Sequence, residues 1–132
     1  MIVLDEQLLG RRIETQIAQW YSGRVCFITD LRPGTIIKDD DIPRLLQKQD
    51  QPTLLTINEK DFWRKVAIND SFCVVCFALP DSKTVLIPAL LRSLLLLPQF
   101  RTKNNRMGKV VRVSEYERLY YSFDERTIRI LK

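Results

Sequence analysis

Histidine is absent from the chain, and that single gap closes off several chemistries at once. Ser-His-Asp triads, histidine general acid/base catalysis and His-ligated zinc are all excluded. Any catalysis must rest on carboxylates, Lys, Arg, Tyr or a bound metal. Cysteine is scarce: Cys26, Cys73 and Cys76 are odd in number and lie in apolar runs, so they read as core thiols of a reducing compartment and not as a disulfide framework. Cys73 and Cys76 have the spacing of a redox or zinc pair, yet Phe72, Val74, Val75 and Phe77 around them spell a strand. Residues three apart on a strand face opposite ways, so no shared role is expected. No apolar run reaches the ~20 residues that cross a bilayer; the most apolar stretch, Val85 to Leu97, carries Pro88 and Arg92. The N-terminus lacks the charged and apolar regions of a signal peptide, so the expectation is a cytoplasmic protein with no membrane partner. With no repeat, low-complexity segment or dividing linker, residues 1–132 are expected to form one domain.

What is present alternates between strand and helix. Ile2 to Leu4 is a short buried strand, after which Leu8, Leu9, Ile13, Ile17 and Trp20 recur at helical spacing through about Tyr21, with Gly23 as the stop. Arg24 to Thr29 reads as the second strand and Asp30 to Lys38 as a loop. Asp39, Asp40 and Asp41 open a second helix, where one acid caps and the others sit in the first turn, with Pro43 suited to that turn. Leu54, Leu55 and Ile57 form the next strand, and a helix runs from Glu59 or Lys60 to Ile68. Ser71 to Leu79 is the strongest strand by β-branched and aromatic content. A loop at Pro80 to Lys83 leads into an apolar helix ending at Pro98, whose four leucines, Leu94 to Leu97, must be covered on more than one side, by a second subunit or partner or by burial inside the domain. Val110 to Val113, Leu119 to Phe123 and Thr127 to Leu131 are short strands, the last two suited to an edge hairpin. This order predicts an α/β fold, a three-layer sandwich with a mainly parallel central sheet, right-handed crossovers and a short β extension at the C-terminus.

In such a sheet Asp5, Asp39 and the cluster Asn58, Glu59 and Asp61 all emerge at the carboxyl edge of the strands, where ligands bind in open α/β folds. Carboxylates crowded together either share a proton or gather a divalent cation. Oxygen ligands without histidine or thiolate favour Mg2+ or Mn2+, and a metal so held can orient and activate water against a phosphodiester. Simpler duties compete. Glu6 supports the first helical turn, two of Asp39, Asp40 and Asp41 serve as helix-start charges, Glu59 and Asp61 fit an ordinary first turn, and Asn58 fits a cap. The net charge of +5 leaves room for an anionic partner. Arg101, Lys103, Arg106, Lys109 and Arg112 fall in one stretch that suits phosphate contacts, with a solvated loop as the simpler and slightly favoured reading.

Three segments carry a family resemblance: Asp5 after the first strand, Asp39-Asp40-Asp41-Ile42 opening a helix, and Thr56-Ile57-Asn58-Glu59-Lys60-Asp61-Phe62 after a later strand. Together they resemble PIN-like domains, in particular the short bacterial PIN-like proteins and the related toxin ribonucleases. The likeness covers about the first 80 residues and extends beyond them only by element order. It implies a metal-dependent endoribonuclease acting on single-stranded RNA, often the toxin of a toxin-antitoxin pair and commonly a homodimer. It implies Asp5, Asp39 and Asp61 as metal-site acids with Asn58 and Glu59 completing the shell, and basic residues such as Arg101, Lys103, Arg106 and Lys109 gripping RNA. Gln7 stands where the short family has Asn, and only Glu6 is available for the central helical acid of longer PIN nucleases. Two other readings are a catalytically silent module of the same fold that binds nucleic acid or a small antitoxin-like protein, and a phospho-acceptor receiver domain. The receiver reading requires Asp at the end of the third strand, where this chain has Asn58.

Overall fold

The computed structural model describes residues 1–132. One seven-stranded sheet runs through it, built from β1 (Ile2–Leu4), β2 (Val25–Phe27), β3 (Thr53–Thr56), β4 (Cys73–Phe77), β5 (Lys109–Val113), β6 (Arg118–Ser122) and β7 (Arg129–Ile130). Their order across the sheet is β2-β1-β3-β4-β5-β6-β7. The first five strands are parallel, and β6 and β7 continue antiparallel as the expected edge hairpin. β1, β3 and β4 are buried throughout, which is why they read as continuous apolar runs and not as alternating ones. No helix is long and apolar enough to cross a membrane.

Helices pack on both faces of the sheet. On the first face α1 (Ile13–Ala18) and α5 (Ile87–Leu95) press Ile13, Ile17, Ile87, Leu91 and Leu94 against Ile2, Leu4, Leu55, Val75 and Val111. On the second, α2 (Ile28–Leu31), α3 (Ile42–Gln47) and α4 (Glu59–Phe62) bring Ile28, Ile42, Leu46 and Phe62 onto Val3, Leu54, Val74 and Val110. Cys73 lies in the first core and Cys76 in the second, so the two thiols are separated by the sheet as their spacing requires.

Five expectations need correction, the simplest being that the helix after β3 spans only Glu59–Phe62 and does not reach Ile68. The first helix is not continuous from Leu8 to Tyr21: a 3-10 turn at Glu6–Leu8 is followed by Gly10 at φ 77° and Arg12 at φ 59°, and α1 starts only at Ile13. Two left-handed residues in three cannot belong to a right-handed helix. The second strand stops at Phe27, because Ile28 to Leu31 turn into α2, with Asp30 Oδ2 accepting the Phe27 backbone N–H at 2.9 Å. No acid caps α3: Asp39–Asp41 form a 3-10 turn of their own and Asp41 faces Arg32 at 3.8 Å.

The crossovers also do not share one hand. The steps from β3 to β4 and from β4 to β5 move in the same direction across the sheet, yet α4 packs on the second face and α5 on the first. One of these connections therefore departs from the right-handed rule. The reason lies in the C-terminal sequence. Residues after β5 form strands, so no later helix exists to cover the first face beside α1, and the leucine-rich α5 fills that place. Its flanks stay uncovered: Leu94 and Leu95 are buried, while Val85 in the 3-10 turn before it, at 67%, and Leu96 just after it, at 65%, are exposed.

Candidate functional site

The chain steps from β1 out to β2 and then crosses back past β1 to β3, so the carboxyl ends of β1 and β3 flank the point where the winding reverses. In doubly wound sheets that is the crevice where ligands bind. Asp5 follows β1 directly, with its backbone N–H donating to Leu55 O of β3 at 2.9 Å. Its side chain is 4% exposed and both oxygens are engaged: Oδ1 accepts the Glu6 N–H at 2.9 Å and Oδ2 accepts the Thr56 hydroxyl at 2.8 Å. Thr56 Oγ1 in turn accepts the Asn58 N–H at 3.0 Å, so one buried hydroxyl ties the end of β1 to the loop after β3. Burial lifts the Asp5 carboxyl above its ordinary pKa, against the lowering effect of these two hydrogen bonds.

Asn58 caps α4, its Oδ1 accepting the Asp61 N–H at 3.3 Å while its Nδ2 donates to Asp61 Oδ2 at 2.7 Å. The cap thus also aims the Asp61 carboxylate. Asp39, exposed on the 3-10 turn before α3, has its pKa raised by desolvation first, then by the negative charge of Asp5 and by hydrogen bonding to Asp61. Asp39 therefore feels both Asp5 and Asp61, acids that come from two other chain segments. Beside them a small cavity of about 110 Å³ is lined by Asp39, Asp40, Asp61 and Lys65. The largest cavity, about 410 Å³, lies elsewhere, between α5 and the C-terminal hairpin.

The other sequence-predicted residues are placed differently. Glu59 is ion-paired with Arg112 of β5, and Glu6 faces solvent in the turn after Asp5. The basic stretch is not a loop: α6 (Lys103–Arg106) leads directly into β5. Because β5 is parallel to β4, Arg101 to Lys109 lie at the amino edge of the sheet, opposite the acids, whereas Arg112 near the carboxyl end of β5 reaches Glu59. Lys103 pairs with Asp50 at 3.4 Å, and Lys109 Nζ donates to the carbonyls of Gln99 and Asn105. Arg106 is 2% exposed. As a surface RNA contact Arg106 is ruled out by that burial, and none of the four can grip a strand lying directly over Asp5.

Two residues with a part in the site escaped the sequence reading. Thr56 was legible as a hydroxyl at the end of a buried strand, and Arg112 as a charge inside the run Val110 to Val113. As placed, no three carboxylates or thiols of the chain form a group that could hold a metal ion. The donor set nevertheless suits a hard cation: all ligands are oxygens, Asp5 is fixed by two hydrogen bonds that leave lone pairs free, and desolvation followed by the charges of Asp5 and Asp61 raises the proton affinity of Asp39. Fold and site define an α/β protein with acidic side chains from three segments placed around its strand switch point. No family model, curated protein or solved structure matches the chain.

Proposed function

We propose that this chain is a PIN-like domain, a three-layer α/β sandwich, and a metal-dependent endoribonuclease that cuts single-stranded RNA at the edge formed by Asp5, Asp39 and Asp61. The observation that supports the reading is the placement of Asp5 just after β1, of Asp39 in the turn before α3 and of the Asn58-capped Asp61 in α4 at the switch point between β1 and β3, with Asp39 close enough to feel both of the others. Asp5, Asp39, Asn58 and Asp61 would hold Mg2+ or Mn2+. When bound, such an ion polarises a phosphodiester and offsets the charge that develops on its oxygens. Thr56 and the Glu6 N–H fix the direction of the Asp5 carboxylate, and Asn58 fixes that of Asp61. Asp5 and Asp39 both have raised proton affinity, and either is suited to take up a proton. Glu59, neutralised by Arg112, supports α4 from outside the ligand set. The exposed Val85 and Leu96 of the α5 segment offer an apolar contact for a homodimer or a small antitoxin protein in the cytoplasm.

The silent-module reading is favoured by a different observation: the acids do not converge on one point, and Arg101, Lys103, Arg106 and Lys109 lie at the far edge. Cleavage of a labelled single-stranded RNA with Mn2+, with Mg2+ and with chelator separates the two. The nuclease reading expects cutting that needs metal and disappears in both Asp5→Asn and Asp61→Asn. Absence of cutting by the natural chain, or cutting that survives both substitutions, refutes it.

A further inference from the structure

Arg106 is a buried guanidinium without a carboxylate partner. It is 2% exposed, and no acid lies within ion-pair distance of it. Its Nε donates to Thr53 Oγ1 at 3.1 Å, Nη1 to the carbonyls of Phe100 at 3.0 Å and Arg101 at 3.5 Å, and Nη2 to the Tyr21 hydroxyl at 3.4 Å. A guanidinium has five N–H donors, so one hydrogen on Nη2 is left without a partner. Desolvating a full charge against neutral acceptors alone is costly, and an arriving anion relieves that cost.

The surroundings repeat the pattern. Arg106 lines a cavity of about 280 Å³ together with Arg92, Arg101, Trp20, Tyr21 and Ser22, and no acidic residue lines it. Neither Arg92 nor Arg101 has an ion-pair partner. Arg101 donates to the Leu96 carbonyl at 3.2 Å, and the Arg92 guanidinium carbon sits 5.8 Å from the centre of the Trp20 ring. Asp50, an acid in the neighbouring loop, is paired with Lys103. Three uncompensated arginines facing one hollow form an anion site, and planar guanidinium forks match phosphate oxygens in pairs. Trp20 and Tyr21 stand edge to face, ring centres 6.2 Å apart, which leaves aromatic surface beside the arginines. Aromatic surface next to a cationic floor is what stacks a base while its phosphate is held. The volume is near the lower end for small-molecule sites, roughly 300 Å³, and suits one nucleotide better than a larger cofactor.

We propose that the hollow between α1 and the end of α5 binds the phosphate of a single nucleotide, with the exposed Arg92 and Arg101 on the phosphate, the buried Arg106 supplying positive charge beneath it, and Trp20 and Tyr21 against the base. It lies at the amino edge of the sheet, where Arg106 meets the first residue of β3, and is thus separate from the acids at the carboxyl edge. The phosphate belongs either to a free nucleotide or to the 5′ end of an RNA strand.

The test is a fluorescence titration of Trp20 in a Trp63→Phe background, with chelator present throughout so that the outcome does not depend on the metal reading. The probes are adenosine 5′-monophosphate, inorganic phosphate and adenosine. The monophosphate is expected to change Trp20 emission at concentrations at least tenfold below those needed for either part alone. Arg92→Gln and Arg101→Gln, both at exposed positions that leave the core intact, should each weaken it by about tenfold or more. Added salt should weaken it further. Competition by a 5′-phosphorylated trinucleotide, and not by its 5′-hydroxyl counterpart, assigns the phosphate to a strand end; no competition assigns it to the free nucleotide. Equal responses to adenosine and its monophosphate, or monophosphate binding that both substitutions leave unchanged, would overturn the proposal.

Discussion

Replacing Thr56 by Val keeps the shape of a fully buried side chain and deletes the hydroxyl that joins Asp5 to Asn58. Near neutrality the change removes a hydrogen bond to a carboxylate, about 1.5–3 kcal/mol, and the acceptor of the Asn58 N–H, about 1 kcal/mol. A total loss of about 2–4 kcal/mol is a large part of the stability of a domain this size, and should lower a urea midpoint by roughly 1–2 M. The sign of the pH dependence follows from Asp5, whose pKa is already raised in the folded state by burial. A folded-state acid with a raised pKa binds more protons than the unfolded chain, so its contribution to stability is greatest below the unfolded pKa. It is lost as pH climbs through the folded value. Removing the Thr56 donor moves the folded value further up, so the penalty of Thr56→Val is smallest in acid and grows toward neutral pH. Urea unfolding followed by tryptophan fluorescence, in chelator, measures this directly. Thr56→Ser, which keeps the hydroxyl, should lose only about 1 kcal/mol from one missing methyl group. A penalty for Thr56→Val that is the same in acid and at neutrality, or undiminished in an Asp5→Asn background, would show that the hydroxyl does not hold the carboxylate.

Three further outcomes are expected. Glu59→Gln should leave any RNA cleavage within about threefold and cost at most about 1 kcal/mol, since a half-exposed ion pair contributes little; loss of cleavage would return Glu59 to the ligand set. The native thiols should resist a disulfide reagent until the chain unfolds, because burial pushes Cys73 up to about 12 and raises Cys76 and Cys26 as well; rapid labelling of the folded chain would contradict that. Tyr121→Phe should cost about 1–2 kcal/mol by thermal or urea unfolding, because the fully buried Tyr121 hydroxyl donates to the Trp63 carbonyl at 2.6 Å and Phe leaves that carbonyl unpaired.

The buried strands were legible because fully covered β-strands need unbroken apolar runs, and β1, β3 and β4 supply them. The carboxyl-edge placement of Asp5 and Asp61 followed from the same strands, since each acid comes just after one. What could not be read locally was decided by other parts of the chain. Gly10 and Arg12 in left-handed conformations break a helical pattern that Leu8, Ile13 and Ile17 seemed to extend, and apolar spacing carries no information about such a turn. The face taken by α5 depends on the C-terminal residues forming strands and not a helix, a fact about distant sequence. Arg106 looked like any other cation of a basic stretch; its burial comes from Thr53, Phe100 and Tyr21 closing around it in space. The Glu59 and Arg112 pair was hidden likewise, because the partners are 53 residues apart.

The central claim is that Asp5, Asp39 and Asp61 form one cation site, and calorimetric titration with Mn2+ tests it without relying on turnover. The account predicts saturable binding of manganese that weakens as the pH is lowered, and sooner than for ordinary carboxylates because the pKa of Asp39 is shifted upward. Binding should weaken by at least tenfold in each of Asp5→Asn, Asp39→Asn and Asp61→Asn, while Asp40→Asn retains it. Heats indistinguishable from buffer, or an affinity that the three substitutions leave unchanged, would contradict the account.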